Sequence, residues 1–420
     1  LASYPAHLRI WNERTAKLIS AELPSKIVNS NKDTYKMSRV AVNENVFRWA
    51  IDRSGLTLEE IENRIPHIRE WLTGEKKPTL KQLENFAKKT RTPFGFLFLD
   101  EPPEERLPIP HFRTLGDEEP LKPSPDLMET IYMMQLRQAW MRDYLIAEGQ
   151  KPLAFANSMK IEDSPLAVTE RMRNALGFQE GWARRQPTWA DSLIEFRDAI
   201  EHSGTLVFFN GIVGNNTSRK LDPGEFRGFV LADKYAPLVF INNADSKAAQ
   251  MFTLAHEMAH VIFGSSAAFD LRQMQPAKDA TEQACNRAAA EFLVPERELL
   301  EAWPSLKNQP DRFHACARRF KVSEIVVARR ALDLNLIRKQ EFFDFYNDHK
   351  NLMKLVNSKK SSGGDFYNTQ NFRLGRRFVS AVARAAKEGK MLYSEAYHLT
   401  GLHGKTFDSY VSKTVLGGAW

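Results

Sequence analysis

The spacing of apolar positions divides the chain into helical and strand-like stretches. Between 41 and 99, Val46, Trp49 and Ala50 share one helical face, Gly55 closes that helix, and Thr57 caps a second one carrying Leu58 and Ile61. A third piece runs through Ile68, Trp71 and Leu72, and Thr79 caps a fourth with Leu83, Phe86 and Ala87 turned inward. Several short helices in a stretch of about sixty residues follow the pattern of a helix-turn-helix module. Proline and acidic residues then crowd 101–125, which is expected to be a linker with an extended piece at 107–114. Helical spacing returns from 126 to 200, with Ile131, Met134, Leu136 and Trp140 as core positions. The period then shortens. Thr205–Phe209, Phe226–Leu231 and Pro237–Asn242 are continuous apolar runs and are predicted to be buried strands. From Ser246 the helical pattern resumes and continues, broken by loops, to about Leu355.

A chain of 420 residues is long enough for more than one core. Its 43% hydrophobic and 26% charged residues fit a globular protein rather than a disordered one. No run of 18 apolar residues occurs, so no membrane-spanning helix is expected. Two cysteines, Cys285 and Cys316, cannot build a disulfide framework, which fits a reducing cytoplasm, and no secretory-type opening is seen. The net charge of +7 is unevenly placed: from Lys350 onward there are 12 basic and 4 acidic residues. A basic tail of this kind is a solvated surface or an anion-binding face.

The chemistry is concentrated in Phe252–Gly264, which contains His-Glu-x-x-His. A spacing of four places His256 and His260 on one helical face, one turn apart, where two imidazoles can hold one Zn²⁺. Glu257 leaves the helix beside them and can take a proton from an activated water. Gly264 can end the helix. A catalytic zinc needs a third protein ligand, and the helix predicted after Pro276 offers Glu282, with Asn286 one turn later to orient a ligand. Small residues at Ala284, Ala288, Ala289 and Ala290 let the two helices approach closely. Cys285 is a competing soft ligand. Its offset of three from Glu282 makes it a neighbour rather than a substitute, and it is expected to be buried and inert.

Two further segments are candidates. The strand Leu238, Val239, Phe240, Ile241 begins after a proline and is either an ordinary sheet strand or an edge strand able to pair with an extended peptide. Arg373, Arg376 and Arg377 interleave with Phe372 and Phe378, a pattern that suits single-stranded nucleic acid or an amphipathic helix packed on the core. A helix-turn-helix pattern at 313–332 is expected to complete the preceding domain. No P-loop, nucleophile-elbow or dinucleotide-binding fingerprint is present.

The stretch Phe252-Thr253-Leu254-Ala255-His256-Glu257-Met258-Ala259-His260 resembles the ImmA/IrrE family of bacterial and phage metallopeptidases. So does the pattern Glu282…Asn286…Ala289-Ala290…Leu293-Val294-Pro295. Arg227-Gly228-Phe229 and Ala236-Pro237…Phe240-Ile241-Asn242 look like that family's sheet. Trp71-Leu72-Thr73-Gly74-Glu75…Pro78-Thr79…Gln82-Leu83…Phe86-Ala87 is similar to the Xre-type helix-turn-helix fused to longer members. Leu107-Pro108-Ile109-Pro110…Phe112-Arg113-Thr114 also fits such fusions. A departure is that only 63–70, interrupted by Pro66, stands where a full recognition helix belongs.

The resemblance implies a gluzincin-type zinc endopeptidase that cuts a helix-turn-helix repressor and so derepresses stress, defence or mobile-element genes. It also implies nucleic acid, including single-stranded DNA, as an effector or target, and no membrane partner. The expected fold class is α+β and predominantly helical: a zincin-like peptidase domain with a small sheet, plus an N-terminal helix-turn-helix-like module. The expected divisions are an extension of uncertain origin at 1–36, the module at 37–105, a linker at 106–125, a helical connecting region at 126–200, the peptidase domain at 201–349 and a basic region at 350–420. The expected centre is one Zn²⁺ per chain on His256, His260 and Glu282, with Glu257 as base and Asn286 behind the ligands. The rival reading is a DNA-binding regulator or antitoxin-like adaptor whose peptidase fold acts as a sensor.

Overall fold

A computed structural model describes residues 39–105, 111–112, 123–269, 279–356 and 366–413. The expected extension at 1–36 and most of the linker lie outside the described residues. The chain divides into two compact units, one holding the short N-terminal helices and the other nearly everything from Glu129 onward. The elements are mostly helical with a small sheet, which is the α+β class. Among the described residues no helix is long and apolar enough to cross a membrane.

The N-terminal unit contains α1 (Glu44–Ser54), α2 (Leu58–Arg64), α3 (Ile68–Leu72) and α4 (Leu80–Thr90). Local chemistry sets their ends. Gly55 closes α1 in the left-handed region at φ 70°, and Thr57 and Thr79 each form a reciprocal capping box with the residue three later, Glu60 and Gln82. The core is an aromatic cluster. Phe47 lies 5.1 Å from Phe86 and 5.9 Å from Trp71, ring centre to ring centre, with Ile61, Ile68 and Leu83 around them. Where a recognition helix would lie there is only the five-residue α3, and Ile68, Trp71 and Leu72 of it are buried. Its outward charges are already paired, Arg69 with Glu62 and Glu70 with Lys76.

In the second unit, β1 (His111–Phe112), α5 (Pro125–Ala147, of which the residues up to Met128 belong to the first unit), α6 (Pro165–Leu176) and α7 (Trp189–Ser203) precede β2 (Leu206–Phe209), β3 (Ile212–Val213), β4 (Asn216–Lys220), β5 (Gly228–Leu231) and β6 (Leu238–Ile241). Next come α8 (Lys247–Phe263), β7 (Ala267–Phe269), α9 (Ala280–Leu293), α10 (Glu296–Leu306), α11 (Arg312–Phe320), α12 (Glu324–Asp333) and α13 (Lys339–Val356). The C-terminal part adds α14 (Phe366–Leu374), α15 (Arg376–Lys387), α16 (Tyr393–Thr400) and α17 (Gly404–Val411). The main sheet has the order β1-β7-β5-β6-β2, and β3-β4 form a separate hairpin. Pairing is parallel for β2–β6 and β1–β7, and antiparallel for β5–β6 and β5–β7.

The sheet corrects one expectation. Leu238–Ile241 is not an edge strand. β6 is paired on both sides, Phe240 facing Phe229 of β5 and Phe208 of β2, and all four of its residues are fully buried. Pro237 stands just before the strand, where its missing N–H costs nothing, and its carbonyl accepts from the Leu206 N–H at 2.8 Å. Four consecutive apolar residues without alternation are the signature of a strand covered on both faces. Strand addition at Leu238, Val239, Phe240 and Ile241 therefore has no free backbone to use.

A large core cluster runs through much of this unit. Val168, Met172, Leu193, Phe196 and Ile200 pack in the same cluster as Leu254, Met258 and Ile262 of α8, Ala288 and Phe292 of α9, and Phe313, Phe320 and Val327 of the helices after it. The stretch read as a connection, 126–200, thus contributes to that core through α6 and α7, and the helix-turn-helix pattern at 313–332 is part of it.

Candidate metal centre

Helix α8 begins at Ser246, whose hydroxyl accepts from the Ala249 N–H, and ends at Gly264 with φ 75°. Gly264 is required there on two counts. Its backbone is left-handed, and a Cβ would sit 2.5 Å from Cγ of Asn157. The 157–159 backbone caps the helix from outside: the N–H groups of Asn157 and Ser158 donate to the carbonyls of Val261 and Ile262 at 3.0 and 2.9 Å. The polar residues of α8 are thereby held inside the core, and His256, Glu257 and His260 are all completely buried.

Helix α9 is fixed at its start by Asp279, whose carboxylate accepts from the N–H groups of Thr281 and Glu282 at 2.8 and 3.1 Å. Buried Ala284, Ala288 and Ala289 leave room for α8 to lie close by. Glu282 then reaches both imidazoles. Its Oε2 is 3.1 Å from His256 Nε2 and its Oε1 is 2.9 Å from His260 Nε2, and the two Nε2 atoms are 3.1 Å apart. The far side of each ring is also engaged: His256 Nδ1 meets Asn286 Oδ1 at 3.1 Å, and His260 Nδ1 meets Ser265 Oγ at 2.8 Å.

The proton arithmetic of this cluster is informative. Asn286 Oδ1 can only accept, so His256 Nδ1 must carry the hydrogen and its Nε2 presents a bare lone pair. That lone pair faces the carboxylate of Glu282 and the Nε2 of His260. Two imidazole nitrogens and a carboxylate converging on one buried point are the donor types that suit a divalent transition ion. The residues present therefore fit a metal.

Glu257 adds a second anomaly. Both of its carboxylate oxygens are buried without a hydrogen-bond partner. The wall beside it is the backbone of Gly228 at the start of β5, where a Cβ would fall 3.1 Å from Glu257 Oε1, 2.9 Å from the Phe240 carbonyl and 2.8 Å from Thr253 Cγ2. Burial, with the negative Glu282 nearby, pushes the Glu257 carboxyl well above the usual carboxylate range. Burial also lowers His260. Burial alone would raise Glu282, but the two histidines around it hold it below its ordinary value.

Cys285 is completely buried, and its Sγ, one ring nitrogen of His256 and one of His260 all lie within 4.8 Å of one another. Its thiol is pushed far up by burial and by the carboxylates of Glu282, Glu257 and Asp279. Sequence reasoning placed this residue beside the cluster without a role, and it passed over Ser265 and Gly228. Ser265 had a signal: it directly follows the helix-ending glycine and lies five residues after His260, close enough to fold back. Gly228 had none, because its neighbours come from α8 and β6.

The three C-terminal arginines are not gathered into an open strip. Arg376 is exposed, whereas Arg373 and Arg377 are partly covered and each has a buried Nε without a partner. The rings that were to stack on bases are in the interior. Phe378 is fully buried against Phe208 and Trp140, and Phe372 packs on Phe209 with the Arg197 guanidinium 4.1 Å from its ring centre. This removes the stacking platform expected of a single-strand binder.

Comparison with known proteins agrees with the location of the cluster. Residues 200–332 match the Peptidase_M78 family model, described as the IrrE N-terminal-like domain. This segment is similar to a peptidase family related to ImmA and IrrE, and it spans β2 through most of α12. Residues 374–413 match a domain of unknown function, DUF8813. No curated protein matches the chain.

Proposed function

We propose that this protein is a zinc-dependent endopeptidase of the cytoplasm with a zincin-like active site, and that its substrate is a protein, a helix-turn-helix repressor whose cleavage derepresses stress, defence or mobile-element genes. The observation that carries the reading is the convergence of two imidazole Nε2 atoms and both oxygens of Glu282 around one point, next to a buried carboxylate with no partner. The match of 200–332 to a peptidase family supports it.

In this reading His256, His260 and Glu282 hold one Zn²⁺ per chain. A bound divalent ion supplies Lewis-acid activation of water and of the scissile carbonyl. The rest is done by the chain. Asn286 accepts from His256 Nδ1 and Ser265 can accept from His260 Nδ1, which holds the two rings in orientation with Nε2 facing inward. Glu257 accepts a proton from the attacking water and returns it to the leaving amine. Gly228 allows Glu257 to stand against the sheet without displacement, and the surrounding apolar core keeps bulk water away from the proton being moved. An intact Glu257 favours an enzyme over a sensor, since a sensor needs no base.

The test is co-expression of the protein with a small helix-turn-helix repressor encoded beside it, followed by metal analysis of the purified chain. The wild-type chain is expected to carry about one zinc and to cut the repressor. Glu257→Gln is expected to keep the zinc and lose about 10²–10⁴-fold in cleavage rate. Unchanged cleavage by that variant would overturn the assignment of the base.

A further inference from the structure

We propose that Cys285 is a fourth protein donor to the metal, so that the resting site is closed by a thiolate instead of being open to solvent. The proposal rests on the metal reading above and concerns its fourth position.

Glu282, Cys285 and Asn286 occupy positions i, i+3 and i+4, which form one continuous face of a helix. Both flanking members of that face already touch the cluster, Glu282 at the two Nε2 atoms and Asn286 at His256 Nδ1. The third member of that face lies beside them, and Cys285 Sγ falls within 4.8 Å of a ring nitrogen of each histidine. Zinc takes nitrogen at about 2.0–2.1 Å and thiolate sulfur at about 2.3 Å, so two such donors on a tetrahedral ion stand roughly 3.5 Å apart. The measured ceiling leaves about 1 Å to close, within the reach of one side-chain torsion.

The chemistry agrees with the placement. Thiolate is a preferred ligand of zinc, and the thiol is completely buried, so no solvent molecule competes for its approach. Binding requires the thiol to give up its proton, which leaves to solvent as the ion enters; metal uptake therefore releases a proton from this residue. Cys316, the other free cysteine, lies on α11 and is not part of the cluster. A site with donors from His256, His260, Glu282 and Cys285 has no corner left for water. Peptide cleavage then requires Cys285 to withdraw, which makes the resting enzyme latent.

The experiment is titration of the metal-free full-length chain with Co²⁺, read by absorption. Bound cobalt gives visible ligand-field bands, and thiolate coordination adds an intense charge-transfer band in the near ultraviolet. The expected result is that wild type and Cys316→Ser show both features at saturation. Cys285→Ala and Cys285→Ser should keep the visible bands, lose the ultraviolet one, and bind the ion at least about tenfold more weakly. Cobalt bound by the wild type without the ultraviolet band overturns the role of Cys285 and leaves the metal centre standing. So does an ultraviolet band that survives in Cys285→Ala. A folded wild-type chain that binds no cobalt overturns the metal reading itself, and this proposal with it.

Discussion

The N-terminal unit is built from helices of 5 to 11 residues and the α8–α9 pair from helices of 17 and 14, and their interiors obey different rules. Inside the first unit Phe47, Trp71 and Phe86 meet ring to ring, and apart from the Trp71 indole N–H no buried side-chain polar atom among its described residues lacks a partner. Inside the second, three ionisable side chains on one helix have no exposure at all, and the carboxylate oxygens of Glu257 meet no donor. Burying such groups without partners costs several kcal/mol in general, so the second arrangement persists only where something else is obtained for it. The contrast marks the α8–α9 pair as a place where buried ionisable groups converge.

That contrast can be broken at several points. The largest expected effect is at Glu257. Glu257→Gln should reduce cleavage by about 10³-fold while leaving the melting temperature unchanged or raised, because an unpartnered buried carboxyl is removed. Thermal melting alongside the cleavage assay checks both halves. Phe86→Ala should do the reverse and cost about 3–5 kcal/mol of the stability of the N-terminal unit, measured by denaturant unfolding.

Glu201 tests how burial acts on a carboxyl away from the cluster. Burial pushes its carboxyl up from 4.5 to about 7, opposed by Arg197. The folded state therefore holds the proton more tightly than the unfolded chain. The resulting stabilisation is complete below about pH 4.5 and is lost as the pH rises through about 7. Glu201→Gln should flatten this slope and gain up to about 3 kcal/mol over wild type at about pH 8, with little change at about pH 4.5; unfolding curves at the two pH values measure it.

Smaller effects refine the picture of the site. Gly228→Ala places a methyl group 2.8 Å from Thr253 Cγ2 and 3.1 Å from Glu257 Oε1. It should cost about 1–3 kcal/mol and slow turnover without changing metal content. Asn286→Ala removes only the acceptor behind His256 and should weaken zinc binding by about 10–100-fold, read by competition with a chromophoric chelator.

Much of this architecture is legible locally. Gly55, Thr57, Thr79, Ser246, Gly264 and Ser323 act at helix ends through their own side chains or backbone freedom, and such signals need no knowledge of the fold. The spacing of His256 and His260 is likewise a property of one helix, and the alanines flanking Glu282 announce a helix meant to lie close to another. What could not be read depends on partners distant in sequence. The position of β6 between β5 and β2 is decided by which runs pair with it, and a leading proline removes only one donor at the strand's first step. The basic and aromatic interleaving at 372–378 looks the same on a groove binder and on a helix packed to a sheet; contact of Phe372 and Phe378 with Phe209 and Phe208 decides the matter. Gly228 was hidden for the same reason, since the atoms it accommodates come from Thr253, Phe240 and Glu257.

The bend at Gly264 and Ser265 has a mechanical result. The hydroxyl that meets the second imidazole is on the short tether between α8 and β7, four residues from Phe269, which pairs with Gly228 beside Glu257. Ligand ring, tether, strand and wall form a closed loop of rigid pieces. Under the proposed metal reading, a displacement of β7 is expected to reach the His260 ring through this loop.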